Sequence, residues 1–176
     1  MPGRPHLTRV PPARRLGSAR SRGVVASAAA CLVLAGCSST PTIEDHDLSA
    51  ADRAACEALV ADLPETLAGE DRVAVEPEGA LGAAWGDPAY VLTCGVPEPA
   101  DYEPTAECNV IAGVGWYVTD DQLADQGEDA TPIALSRTPY VEVLVPADYR
   151  TLGIDRALAE LAPALEEHLA EGLSCL

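Results

Sequence analysis

Pro139-Tyr140-Val141-Glu142-Val143-Leu144-Val145-Pro146 is the stretch on which the fold turns. Val141, Val143 and Val145 alternate with Tyr140, Glu142 and Leu144, a period of two that suits a pleated strand and no helix. The prolines at either end bound it, since proline donates no ladder hydrogen bond. Working outward, Ala89 to Cys94 predicts another strand, and Val73 with Val75 a short one. From Val110 the residues Val110, Ala112, Val114, Trp116 and Val118 would line one strand face, with Gly113 and Gly115 on the other, leaving room for close packing. Before the strands, Ser49 with Asp52 three positions later predicts a helix start. Cys56, Leu59, Val60 and Leu63 then share a face until Pro64, so the Cys56 sulfur points inward. After Gly153 the spacing of Ile154, Leu158, Leu161, Leu165 and Leu169 is helical, with Pro163 predicting a kink or a second helix. The predicted fold is α+β: a small antiparallel sheet of four or five strands, an N-terminal helix and a C-terminal helical segment.

The N-terminus carries a different signature. All eleven basic residues are arginine, and six of them precede Gly23, where no acidic residue occurs. The uncharged stretch from Val24 to Ala35 is shorter than the ~20 residues a membrane-spanning helix needs. Leu34-Ala35-Gly36-Cys37 follows and reads as a lipobox. Residues 1–36 are therefore expected to be a signal peptide. Cys37 is the expected site of lipidation, residues 37–48 the lipidated N-terminus and tether, and residues 49–176 a single domain. The expected location is the outer face of the cytoplasmic membrane, held there by acyl chains.

Loss of residues 1–36 would remove six arginines and none of the 28 acidic residues, leaving 5 − 28 = −23. Such a surface repels phosphates, so nucleic acid is excluded as an expected partner, while cationic partners fit. Of six cysteines, Cys56, Cys94, Cys108 and Cys175 would remain in the domain. An even number in an exported domain predicts two disulfides, and the preferred pairing is Cys94–Cys108 with Cys56–Cys175. Phenylalanine is absent, so the core must come from aliphatic residues and a few Trp and Tyr.

Chemistry-bearing motifs are missing. There is no Gly-x-Ser-x-Gly, no His-Glu-x-x-His and no phosphate-cradling glycine loop. No Cys-x-x-Cys occurs, so neither metal nor cofactor is expected. His168 among Glu166, Glu167 and Glu171 reads as a solvated helix face. Asp120, Asp121, Asp125, Glu128 and Asp129 lack EF-hand spacing and read as a solvated loop. Gly86-Asp87-Pro88 predicts a turn that aims Trp85 in one direction. Inward, Trp85 is core; outward, Trp85, Gly86, Asp87 and Pro88 form a partner-binding patch.

Cys56 ahead of Leu63-Pro64, Ala83-Ala84-Trp85-Gly86-Asp87-Pro88, Leu92-Thr93-Cys94-Gly95-Val96-Pro97, Gly113-Val114-Gly115-Trp116, Arg137-Thr138-Pro139 and a final cysteine occur in that order. Together they resemble an actinobacterial envelope family known as domain of unknown function 3515. The resemblance implies an envelope lipoprotein or secreted domain and assigns no activity or site residues. Two functions follow as expectations: a noncatalytic binding or accessory module engaging an envelope protein or wall component, or a small wall-processing hydrolase using paired carboxylates.

Overall fold

In a computed structural model, residues 39–103, 106 and 108–174 are described, all within the unit Cys37–Leu176. The stretch between Pro139 and Pro146 forms a central strand, β9 (Tyr140–Leu144), with Val141, Val143 and Val145 fully buried on one face. In chain order the elements begin with α1 (Ala50–Asp62), β1 (Thr66–Leu67), β2 (Glu70–Val73), β3 (Gly82–Trp85) and β4 (Tyr90–Val96). There follow β5 (Asn109–Ile111), β6 (Val114–Tyr117), α2 (Asp120–Ala124), β7 (Ile133–Ala134) and β8 (Arg137–Thr138). After β9 come α3 (Ala147–Arg150), α4 (Asp155–His168) and β10 (Ala170–Glu171). The class is α+β, as the alternation predicted.

One antiparallel sheet of eight strands runs in the order β1-β2-β3-β4-β9-β7-β6-β5, and β10 pairs with β8 beside it. Four or five strands were expected, and the excess has three sources, the first being β3, whose Gly-Ala-Ala-Trp sequence shows no alternation of apolar and polar residues. β1 and β7 hold two residues each, too few to show a period. The stretch read as one strand from Val110 is a hairpin: Ala112 and Gly113 turn with φ of 48° and 87°, as a two-residue type I′ connection requires. Val110 consequently lies 66% exposed, while Val114 and Trp116 enter the core.

α1 and α4 pack against each other and on one sheet face. Ser49 caps α1 by accepting from the Asp52 amide at 3.2 Å, the N-terminus the sequence predicted. The last turn of α1 has no basic residue, and Arg72 of β2 supplies the cation: its guanidinium donates to the Leu63 and Val60 carbonyls. α4 is continuous through Pro163, which sits exposed on its solvent side, so no second helix starts there.

The cysteine pairing is corrected. Cys56 on the inward stripe of α1 is bonded to Cys94 of β4, the strand beneath it, and both are buried. Cys94–Cys108 is ruled out by sheet order: β9, β7 and β6 separate β4 from β5, four spacings of ~4.8 Å, whereas a disulfide needs its Cα atoms within ~7 Å. Cys56–Cys175 falls because Cys56 is already used. Cys108 is also disulfide-bonded, with its partner outside the described residues. Cys175 and Cys37 lie there too.

The segment expected to be a tether docks on the sheet face opposite the helices. Ile43 donates its amide to Glu76 at 2.8 Å, Glu76 returns one to Pro41 at 2.9 Å, and Ile43 is 2% exposed. Gly82 makes this possible, since a Cβ there would meet Ile43 Cδ1 at 2.5 Å. Among the described residues the packed domain therefore starts at Pro41, eight residues earlier than expected.

Candidate functional site

Strand alternation sends Trp85, Tyr90, Leu92, Val141 and Val143 to the helix side and builds a second surface from their neighbours. Cross-strand register aligns Val73, Ala84, Val91 and Leu144 in one row of that outer face. The next row holds Gly82, Thr93, Glu142, Ile133 and Tyr117. The first row is wholly apolar, and the second places a carboxylate opposite a threonine hydroxyl.

A groove of about 760 Å³ lies over these rows, within the range of small-ligand sites. Its floor is Val73, Val91, Leu144, Thr93 and Glu142; one wall is Ser39–Thr42 with Glu44 and His46; the rim includes Gly86, Asp87, Pro88 and Thr131. The lining carries three carboxylates, of Glu44, Asp87 and Glu142, one imidazole and no arginine. Burial pushes the Glu142 carboxyl above its ordinary value, with His46 opposing and Glu44 reinforcing the rise. Glu142 makes no hydrogen bond or ion pair with another described residue. Beyond this groove the outer face ends in tyrosines: Tyr102 meets Tyr117 edge-on at 5.4 Å, and the Tyr140 hydroxyl donates to Glu98 at 3.4 Å.

The Trp85 segment divides between core and rim. Trp85 is fully buried and donates Nε1–H to the Pro64 carbonyl at 2.9 Å, so its ring is a core element. Gly86, with φ of 85°, opens the turn, and Asp87 and Pro88 are exposed at the groove edge. Sequence reasoning missed Glu142, Glu44, His46 and Thr93. A charged residue at the centre of the valine-rich Tyr140–Leu144 strand was the available signal for Glu142; His46 and Glu44 were hidden by assignment to a tether.

Two other polar groupings do less. The acidic loop after Tyr117 is tied to its neighbours: buried Arg150 donates to the Glu128 and Gln122 carbonyls, and Asp129 accepts from the Ala147 amide at 2.8 Å. Asp62, Glu167 and His168 converge at the C-terminal ends of α1 and α4, where His168 and Asp62 lie 3.2 Å apart. All three are at least partly exposed, and the His168–Asp62 contact ties the two helices together. Among the described residues no helix is long and apolar enough to cross a membrane.

Fold and groove define a disulfide-linked α+β domain with a ligand-sized depression on the outer face of its sheet. The family described as "Protein of unknown function (DUF3515)" matches residues 23–173, and the chain belongs to it. No curated protein and no solved structure matches the chain.

Proposed function

We propose that this protein is a lipid-anchored, noncatalytic binding module of the cell envelope, carried on Cys37 at the outer face of the cytoplasmic membrane, with the outer-face groove as its binding site. The observation that carries the reading is the groove's composition: an apolar floor large enough for a small ligand and one half-buried carboxylate that no described residue pairs. An aliphatic floor supplies affinity by excluding water, and a few polar groups set orientation. Because the chain is docked from Pro41 onward, only about four residues at ~3.3 Å each, roughly 13 Å, connect Cys37 to the domain. The groove, walled by Ser39–Thr42, would then face material close to the membrane.

The hydrolase reading has one observation in its favour, that Glu142 is raised while Glu44 and Asp87 line the same groove, as acid and base roles require. Purified envelope wall sedimented with the full-length protein separates the two. The module reading expects wild type to cosediment, Val91→Trp and Leu144→Glu to remain in solution, and no soluble wall fragments to appear. Fragment release that stops in Glu142→Gln would establish the hydrolase instead. Anchoring is tested by fatty-acid labelling, which should mark wild type and not Cys37→Ser; equal labelling would sink that part.

A further inference from the structure

We infer that the groove recognises a primary ammonium group carried on an aliphatic stem, the cation meeting Glu142 and the stem lying along Val73, Val91 and Leu144. The inference rests on the binding-module reading and names its ligand class. Three features of the groove converge on it. The lining offers carboxylates from Glu44, Asp87 and Glu142 against one imidazole, His46, and no arginine, so carboxylates outnumber basic groups and the local field favours a cation. Glu142 stands on a floor whose only other polar residue is Thr93, where a carboxylate with no hydrogen bond or ion pair to a described residue is costly and a counter-charge from outside is correspondingly favourable. Thr93 lies directly opposite Glu142 across the β4–β9 ladder, and Thr131, whose hydroxyl accepts from the Gln122 side-chain amide at 2.9 Å, also lines the groove. One carboxylate with a single hydroxyl across the ladder suits the compact point charge of an ammonium; a guanidinium would want a flat bidentate face.

The row Val73–Ala84–Val91–Leu144 spans four adjacent strands, three spacings of ~4.8 Å, so it can accommodate a stem of several methylenes. That length separates an aliphatic amine from ammonia or a bare metal cation, neither of which would use the floor. A lysine-type side chain of a peptide and a free alkylamine present the same chemistry here, and both belong among the probes.

The test is a titration of the full-length protein in detergent micelles at pH 7.5, followed by backbone amide shifts of Val91, Thr93, Glu142 and Leu144. The probes are n-hexylamine, n-hexanol, hexanoate, n-butylguanidine and Nα-acetyl-lysine methylamide. The expected result is saturable shifts with hexylamine and the lysine derivative, none with hexanoate, and a loss of affinity of about 10- to 100-fold in Glu142→Gln, the range of a charge-assisted contact. Tighter binding of the lysine derivative would assign the peptide source, and tighter binding of hexylamine the free amine. Hexanol binding as well as hexylamine, with Glu142→Gln without effect, overturns the ammonium claim and leaves the apolar groove standing. Preference for butylguanidine overturns it in favour of a planar cation. Absence of shifts for every probe, or hexylamine shifts that persist unchanged in Val91→Trp, overturns the ammonium claim, while the module reading is decided separately by whether wild type cosediments with envelope wall.

Discussion

The Trp85 indole donates its proton to the Pro64 carbonyl at 2.9 Å, tying β3 to the chain just beyond α1, while the other tryptophan, Trp116, is equally buried and leaves its indole N–H without a partner among the described residues. Arg72 reinforces the first arrangement, lying 5.9 Å from the Trp85 ring centroid as it caps α1. Replacing Trp85 by Phe removes volume and leaves a carbonyl unmatched, whereas replacing Trp116 removes similar volume but also an unmatched donor. Trp85→Phe should therefore lose about 1–2 kcal/mol more stability than Trp116→Phe in denaturant melts. Equal losses, or the reverse order, would contradict the assigned hydrogen bond.

Disulfide mapping offers a second test. Cys56–Cys94 closes 38 residues and contributes about 4 kcal/mol in the loop-entropy account. With those two sulfurs used, the domain cysteine left for Cys108 is Cys175. Non-reducing peptide mapping should recover Cys56 joined to Cys94 and Cys108 joined to Cys175, and Cys56→Ala with Cys94→Ala should melt far earlier than wild type. A peptide joining Cys94 to Cys108 would overturn the sheet order itself.

What was legible in the sequence depended on length of pattern. β9 and α4 declared themselves because several apolar residues repeat at one period, and Ser49 announced α1 through a local hydrogen bond that needs no tertiary partner. β1 and β7 could not be seen, since two residues carry no period and form only because neighbouring strands present free edges. The disulfide was misassigned because nearness in sequence stood in for nearness in space, although β4 and β5 lie on opposite sides of three intervening strands. The groove was the least visible feature. It is assembled from β2, β4, β9 and the segment around Ile43, and only strand register brings Thr93 opposite Glu142.

Docking of the N-terminal segment makes its own prediction. Ile43 is buried over Gly82, while Thr40, three residues before it, is exposed. Ile43→Ala should cost about 2–4 kcal/mol and Thr40→Ala should stay within roughly 0.5 kcal/mol of wild type. Equal, small effects in both variants would mean that the segment is a free tether after all.

At alkaline pH the relevant group is Tyr90, stacked on Tyr149 with ring centroids 4.5 Å apart. Burial, then the nearby Tyr149 and Glu70, push its hydroxyl up to about 12 from 10.0. A raised value in the folded state means that the contribution is fully present below pH 10 and is lost as pH climbs through 12. Tyr90→Phe should flatten the decline in melting temperature over that interval; an unaltered decline would show that Tyr90 ionises like a free phenol.

Glu142 gives the corresponding test in acid. Its carboxyl is raised above 4.5, chiefly by burial, so the folded protein holds that proton to higher pH than the unfolded chain does. The stability tied to the protonated form is complete below pH 4.5 and is lost as pH rises through the folded value, leaving a destabilising buried charge at neutrality. Glu142→Gln keeps the shape and removes the ionisation. Its melting temperature should exceed that of wild type at pH 7.5, and the gap should close as the pH is lowered below 4.5. Hexylamine, if it pairs with the carboxylate, should narrow the gap at pH 7.5 by stabilising wild type alone. A gap that stays constant across the range would show that Glu142 does not ionise against its surroundings, and the electrostatic argument for the groove would fail with it.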